Sequence, residues 1–423
     1  MSQLSPSLQS RFTLIIALLV VSIVFVACSS PTDSITVEPT TPPIQAESVL
    51  TARPPVGLEP TATVPAPTYR EPSAPITLDN VAEIDYLGRL DVAGVKSTIF
   101  RWAVSPDGIQ LVALNNDLLT EWNLVTGETN FSTPRNDITD VLYSSDRNEI
   151  YAIATDGTTS IFESLTGDPQ TQVSLHPTYN GIYDYDVTTG LLAVAGEDGT
   201  VKVWDMAERL SLVTFDTESE VLIDIELSSD ANLLATTDPE GFIKLWAWEG
   251  ETKITEYDLQ EAVAQSMVFA PDDTQLAVAT RDFVAMWDIL TGDLDFVLQS
   301  GTNSANEVLE FSPNGEYLIT AGESGNLRMW NAESSDLEIE LADVSGSRVS
   351  AVFSLDTSLL VTTILGQDAA LWNIAGITGE TVQRAPLSVT SQNLFGVEWS
   401  PDGFTLLFFD ATGEIYVWGI PAR

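Results

Sequence analysis

Asp198-Gly199-Thr200-Val201-Lys202-Val203-Trp204-Asp205 opens on a turn dipeptide, runs through β-branched residues and closes on a tryptophan. Gly tolerates positive φ, and Val and Thr suit a pleated surface, so the stretch reads as a strand entered through a tight turn. It recurs. Aligned on the aromatic residue, the positions are Trp122, Phe162, Trp204, Trp246, Trp287, Trp330, Trp372 and Trp418, at spacings of 40, 42, 42, 41, 43, 42 and 46. Short strands repeating every 40–45 residues or so predict an all-β chain folded as a β-propeller.

Two further landmarks keep the same period. Ahead of each aromatic lies a turn signal, as in Ser105-Pro106-Asp107-Gly108, Ser228-Ser229-Asp230, Ser312-Pro313-Asn314-Gly315 and Ser400-Pro401-Asp402-Gly403; in the third unit it reads Val187-Thr188-Thr189-Gly190. After the aromatic strand comes Thr126-Gly127, Thr166-Gly167, Thr291-Gly292 or Thr378-Gly379. Both are turn chemistry, and they cut each unit into four strands. Runs such as Leu191–Ala195 are apolar on both faces, as in a sheet sandwiched between neighbours. The last unit ends five residues after Trp418 and lacks an outer strand, which Glu83–Val92 is placed to supply. Eight blades follow, or seven if one degenerate unit forms no sheet. The flat aromatic of each unit is expected to fill the wedge between adjacent blades.

With these landmarks, residues 79–423 resemble the WD-repeat family, whose propellers join their ends by such a donated strand. The resemblance implies a rigid ring whose loops recognise proteins. Its polar signature is sparse here. The one histidine, His176, can meet a turn aspartate, Asp198, in unit three alone, because the other units carry Asn116, Glu240, Arg281, Ser324, Gly366 and Thr412 where Asp156 and Asp198 stand in units two and three.

Upstream, Phe12–Ala27 is a nearly unbroken apolar run of 16 residues. A bilayer span needs about 20, so residues 1–27 read as an export signal. Cys28, the only cysteine, follows directly. Phe25-Val26-Ala27-Cys28 resembles a bacterial lipobox, which implies a lipidated Cys28 at the mature N-terminus and a chain held on the extracytoplasmic face of the cell membrane. An uncleaved signal anchor is the alternative, and it tethers the chain to the same side. Residues 29–75 contain 11 of the 22 prolines. Proline-rich, apolar-poor sequence cannot build a core, so residues 28–78 are expected to form a disordered Pro/Thr/Ser-rich linker.

Several chemistries are excluded by residue type. One His and one Cys leave no His/Cys zinc site and no Cys–His dyad in the exported domain. Nucleophile-elbow, phosphate-loop and dinucleotide-fingerprint glycine patterns are absent from the sequence. Residues 79–423 carry 14 basic against 56 acidic side chains, a net of −42. That field repels nucleic-acid phosphates and favours cations and basic protein surfaces. The expected function is a membrane-anchored, non-catalytic protein-binding scaffold. A carboxylate- or metal-dependent enzyme, such as a glycan hydrolase, is the alternative.

The acids are not scattered at random. Counting back from each Ser-containing turn, positions one and three are mostly apolar, whereas position two holds Glu226, Glu310 and Glu398 and position four holds Asp140 and Asp224, alongside Arg101. Side chains alternate along a strand, so one face of the innermost strands carries carboxylates that an ordinary core would exclude. These five acids are expected either to face a water-filled channel or pair with Arg101, or to gather near the axis and bind a basic partner segment or a cation. No cofactor is otherwise expected; calcium, which takes 6–8 oxygen ligands in flexible geometry, is one cation that carboxylates from several blades could serve.

Overall fold

The computed structural model describes residues 69–90, 101–115, 118–135, 137–260, 262–299, 306–322, 327–341, 349–367, 369–375, 383–387, 389, 391 and 393–422, all within the unit Val64–Arg423. The apolar run, Cys28 and the proline-rich sequence up to residue 68 lie outside the described residues.

Eight four-stranded antiparallel sheets succeed one another. Blade four is representative, with strands Asp224–Leu227, Leu233–Thr237, Phe242–Ala247 and Thr252–Asp258 from the inside outward. Eight apolar clusters hold the blades together, one at each blade-to-blade boundary, including the boundary between blades eight and one. The ring is therefore an eight-bladed propeller.

The sequence landmarks acquire physical causes. Each turn serine works twice: Ser228 Oγ donates to Asp230 Oδ1 (2.8 Å) and accepts from Leu233 N (2.9 Å). The same pair of bonds recurs at Ser144, Ser312, Ser354 and Ser400. The turn thus presets the hairpin register through local side-chain bonds.

The eight aromatics are all buried, from Trp122 at 1% exposed to Trp418 at 9%, with Phe162 at 3% in the Trp position. Beside the aromatic the register with the outer strand slips by one residue in blades one to six, and in blade eight between Tyr86 and Gly88. Such a bulge twists the strand locally. The indole N–H also needs a partner when buried. Trp246, Trp330 and Trp372 donate to Thr236, Thr320 and Thr362 Oγ1 at 3.0–3.1 Å, each ten residues earlier. Val194 stands at that position in blade three, and Trp204 turns to the Leu175 carbonyl instead (2.9 Å). Trp246→Ala should cost about 3–5 kcal/mol in denaturant unfolding. A loss below about 1 kcal/mol would remove the wedge assignment.

Blade eight takes its outer strand, Asp85–Leu90, from the start of the ring; it pairs antiparallel with Ile415–Gly419. Leu87 and Leu90 are each 1% exposed. The ring-bound chain begins earlier than the expected boundary at residue 79. Ser73 N donates to Ile420 O, Ile76 N to Gly403 O (both 2.8 Å) and Ala422 N to Glu71 O (3.0 Å), while Ile76 enters the cluster between blades seven and eight. The Tyr69 ring fills the space a Cβ on Gly88 would need, 2.6 Å away.

One buried charge ties blades one and two. Glu121, in the third strand of blade one, is 0% exposed. Its carboxylate accepts from Tyr143 OH (2.8 Å), Ser164 Oγ (2.7 Å), Leu165 N (2.8 Å) and Asn130 Nδ2 (2.8 Å). Four donors replace the lost water, which is what makes a buried carboxylate tolerable.

Candidate functional site: the acidic inner strands

The alternation expected of the inner strands is present. In blade four Ile225 and Leu227 are 1% and 5% exposed, while Asp224 and Glu226 on the opposite face are half-buried. Glu310 and Glu398 occupy the Glu226 register in blades six and eight.

Blade three supplies an acid missing from the expected set. Asp184 pairs with Ala193 in the register where Glu226 pairs with Ala235. Asp186, not Val187, takes the place of the turn serine, accepting from Thr188 N (2.8 Å) and Thr189 Oγ1 (2.7 Å). The signal was in the sequence: Asp184, Glu226, Glu310 and Glu398 each lie 20 residues before their Trp.

The acids do not form one cluster. Asp140 is neutralised by Arg101 of the preceding blade, whose Nε donates at 3.1 Å. Asp184 and Asp224 act as stitches between consecutive inner strands: Asp184 Oδ2 accepts from Leu227 N (2.7 Å) and Asp224 Oδ2 from Met267 N (3.1 Å). Each also accepts the N–H of the residue that follows it. Glu226 has no hydrogen-bond or ion-pair partner among the described residues, and neither has Glu310. Glu398 Oε2 is 3.4 Å from the Trp102 Nε1 donor, and that indole stacks on Phe409 with ring centroids 3.8 Å apart.

Desolvation by the surrounding walls pushes Asp224 up to about 6 and Glu310 up to about 8, with the Glu398 charge adding to the latter. It also raises Asp184, Glu398 and, most strongly, Glu226, where the charges of Asp184 and Asp224 reinforce it. Turn aspartates shift the other way. The Ser144 hydroxyl lowers Asp146, and the Asn232 N–H and Ser228 hydroxyl lower Asp230.

The two sets act on opposite sides of neutrality. A raised carboxyl stabilises the fold below its unfolded pKa, and that contribution is lost as pH rises through the folded value, about 6 for Asp224 and about 8 for Glu310. A lowered turn aspartate stabilises above its unfolded pKa and loses that effect as pH falls through the folded value. The melting temperature should therefore climb as pH drops from 9 towards 5, then fall below about 4. In Asp224→Asn/Glu310→Gln the climb should flatten; an unchanged slope would detach it from these two groups.

Among the described residues no group of three or more His, Cys, Asp or Glu could hold a metal ion. The calcium expectation thus finds no ready ligand set, because Asp140, Asp184 and Asp224 spend their oxygens on an arginine and on backbone N–H groups. What the channel wall offers a partner is single carboxylates on separate blades.

His176 is structural. Its Nδ1 accepts from Thr178 N (3.2 Å), leaving Nε2 to donate to Thr200 Oγ1 (3.0 Å), which donates in turn to Asp198 (2.7 Å). Thr200 joins the expected His–Asp pair, and burial lowers the imidazole pKa.

The family pattern described as "WD domain, G-beta repeat" matches two stretches of the propeller, residues 167–205 and 298–331. Target of rapamycin complex subunit LST8 of Mus musculus is 21% identical over 234 residues, 54% of this chain and 72% of that protein. Apoptotic protease-activating factor 1 of Rattus norvegicus is 27% identical over 240 residues, 53% of this chain and 18% of that one. Among solved structures, the C-terminal WD40 domain of Sif2 superposes with a TM-score of 0.64 at 14% identity, covering 80% of this chain and 99% of that domain. The computationally designed Ika8 protein gives 0.63 at 18%, covering 78% and 99%. At these identities the two structures speak for the fold alone.

Proposed function

We propose that this chain is a membrane-anchored, extracytoplasmic lipoprotein whose propeller is a non-catalytic platform for protein partners with basic surfaces. The observation that carries the binding part is the acidic register of the inner strands: Glu226 and Glu310, without partners among the described residues, belong to a ring whose residues 79–423 carry a net charge of −42. A carboxyl held neutral by burial and without a protein partner ionises when a cationic side chain is brought to it, and gains a charge-assisted hydrogen bond in doing so. A relative named as a complex subunit is in keeping with a platform role. Enzymatic use of the acids would require two or three of them free in one pocket, whereas Asp140, Asp184 and Asp224 are committed to structural bonds.

The anchor part rests on Cys28 directly after a 16-residue apolar run. A diacylated cysteine supplies the two chains that stable attachment needs. The test joins both parts: crosslinking and capture from native membranes, with mass spectrometry of the retained proteins and of the N-terminus. Basic proteins should be retained by the parent and lost with Glu226→Gln/Glu310→Gln/Glu398→Gln. Cys28→Ser should abolish lipid labelling and leave the precursor unprocessed. Retention by the triple variant would overturn the acidic-channel reading, and an unchanged mass in Cys28→Ser would make the segment a plain signal anchor.

A further inference from the structure

The inner register is uneven around the ring. Blades three, four, six and eight present acids there, but blades one and two present Ala103 and Leu142. Directly above these two, where the inner strands end and their turns begin, lies a pocket of about 610 Å³. Its walls are Val104 and Pro106 of blade one, Tyr143 of blade two, Tyr185 and Val187 of blade three and Pro401 of blade eight, with Ala103 and Leu142 as its floor. The lining is mainly apolar, and Val187 at its rim is 39% exposed.

The turns around it carry carboxylates at fixed places. Asp146 follows Ser145, Asp186 precedes Val187 and Asp402 follows Pro401. Each is held by its own turn: Asp146 by Ser144 Oγ (2.7 Å), Asp186 by Thr189 Oγ1 (2.7 Å) and Asp402 by Ser400 Oγ (2.6 Å). None of the three has an ion-pair partner among the described residues, whereas Asp107, the fourth turn aspartate, is paired with Arg147. An apolar hollow rimmed by three uncompensated anions suits an apolar side chain flanked by cations. Burying an aromatic ring supplies affinity, and flanking charges fix orientation and partner choice.

We infer that the hollow between Ala103, Leu142, Tyr143, Tyr185, Val187 and Pro401 docks a segment of a partner protein in which an aromatic residue sits between lysines or arginines. This rests on the platform reading and adds the place and chemistry of contact. The aromatic ring would enter the hollow against Tyr143, Tyr185 and the two prolines. The flanking cations would meet Asp146 and Asp186 on one side and Asp402 on the other.

The test uses the purified full chain in detergent and three synthetic peptides, acetyl-Lys-Lys-Trp-Lys-Lys-amide, its Gly-for-Trp counterpart and acetyl-Glu-Glu-Trp-Glu-Glu-amide, followed by calorimetry and tryptophan fluorescence. The basic Trp peptide should bind at least tenfold more tightly than the Gly peptide, weaken with added salt, and leave the acidic peptide unbound. Val187→Arg, a rim change that burdens no core position, and Ala103→Leu, which fills the floor, should each reduce that affinity at least tenfold. Both variants should melt with the parent. Equal binding of the Trp and Gly peptides, preference for the acidic peptide, or parental affinity in a folded Val187→Arg would overturn the docking site. Those outcomes together with intact capture of basic proteins from membranes would overturn the site while leaving the platform standing.

Discussion

A chain that begins at residue 91 should fail to unfold cooperatively and should aggregate, whereas one that begins at Tyr69 should melt within about 2 °C of the parent. The first truncation removes Asp85–Leu90 and exposes the full edge of Ile415–Gly419. It also strips Ile76, Leu87 and Leu90, all under 5% exposed, from two blade boundaries. At about 1.5–3 kcal/mol per fully buried side chain the loss is on the order of 5–9 kcal/mol. Such a loss approaches the whole margin of about 5–15 kcal/mol that a typical domain possesses. An unpaired edge then invites intermolecular pairing. Calorimetry and light scattering on the two truncations decide it. Identical transitions would show that seven blades and an incomplete eighth are stable without the donated strand.

Glu121→Ala should be the most damaging single substitution among the polar residues, at about 3–5 kcal/mol. It leaves Tyr143 OH, Ser164 Oγ, Leu165 N and Asn130 Nδ2 without their acceptor, and Tyr143 and Ser164 are buried at 2% and 6% exposure. Burying an unsatisfied donor costs about 1–3 kcal/mol. Glu121→Gln keeps the shape but turns an amide N–H₂ towards some of those donors, so it should recover only part of the loss. Urea midpoints of the three proteins measure this. An alanine variant within 1 kcal/mol of the parent would mean that the carboxylate was never under load.

The architecture was legible because its causes are local and repeated. A turn serine with its acidic or amide partner, a β-branched strand and a wedge aromatic recur around the ring, with Asp186 and Ala270 in the serine's place in two units and Phe162 in the tryptophan's place in one, and a slip in any one unit is corrected by the others. The closure strand was legible for the same reason, as the fourth strand that the last unit lacks. Glu121 was not. It sits before Trp122 in an ordinary exposed-looking triplet, Thr120-Glu121-Trp122, and its four donors come from positions 22 or more residues away and from a neighbouring strand. Asp184 was hidden by a local exception, since Asp186 does the work of the turn serine and displaces the count by one. The channel acids were half legible: alternation gave their face, but their partners are backbone N–H groups of the next blade, which carry no residue-type signature. That residues 69–78 belong to the ring was obscured by composition, because Pro72 and Pro75 read as linker while Ile76 between them and the strand enters the core.

Closure by Asp85–Leu90 has a consequence in time. Asp85 pairs with Gly419, so the outer strand of blade eight is made long before the three strands that it completes. Each of the other seven blades is complete within some forty residues and can form as soon as it emerges. Blade eight cannot. Until the last few residues are available the chain is an open arc with two unpaired edges, and contacts of such sequence separation are also the slowest to form because the intervening chain must first be closed into a loop. The interval before the ends meet is when this propeller is most exposed to aggregation. Refolding from urea should show it as a slow last phase, carried by Trp418 and absent from the fluorescence of Trp246.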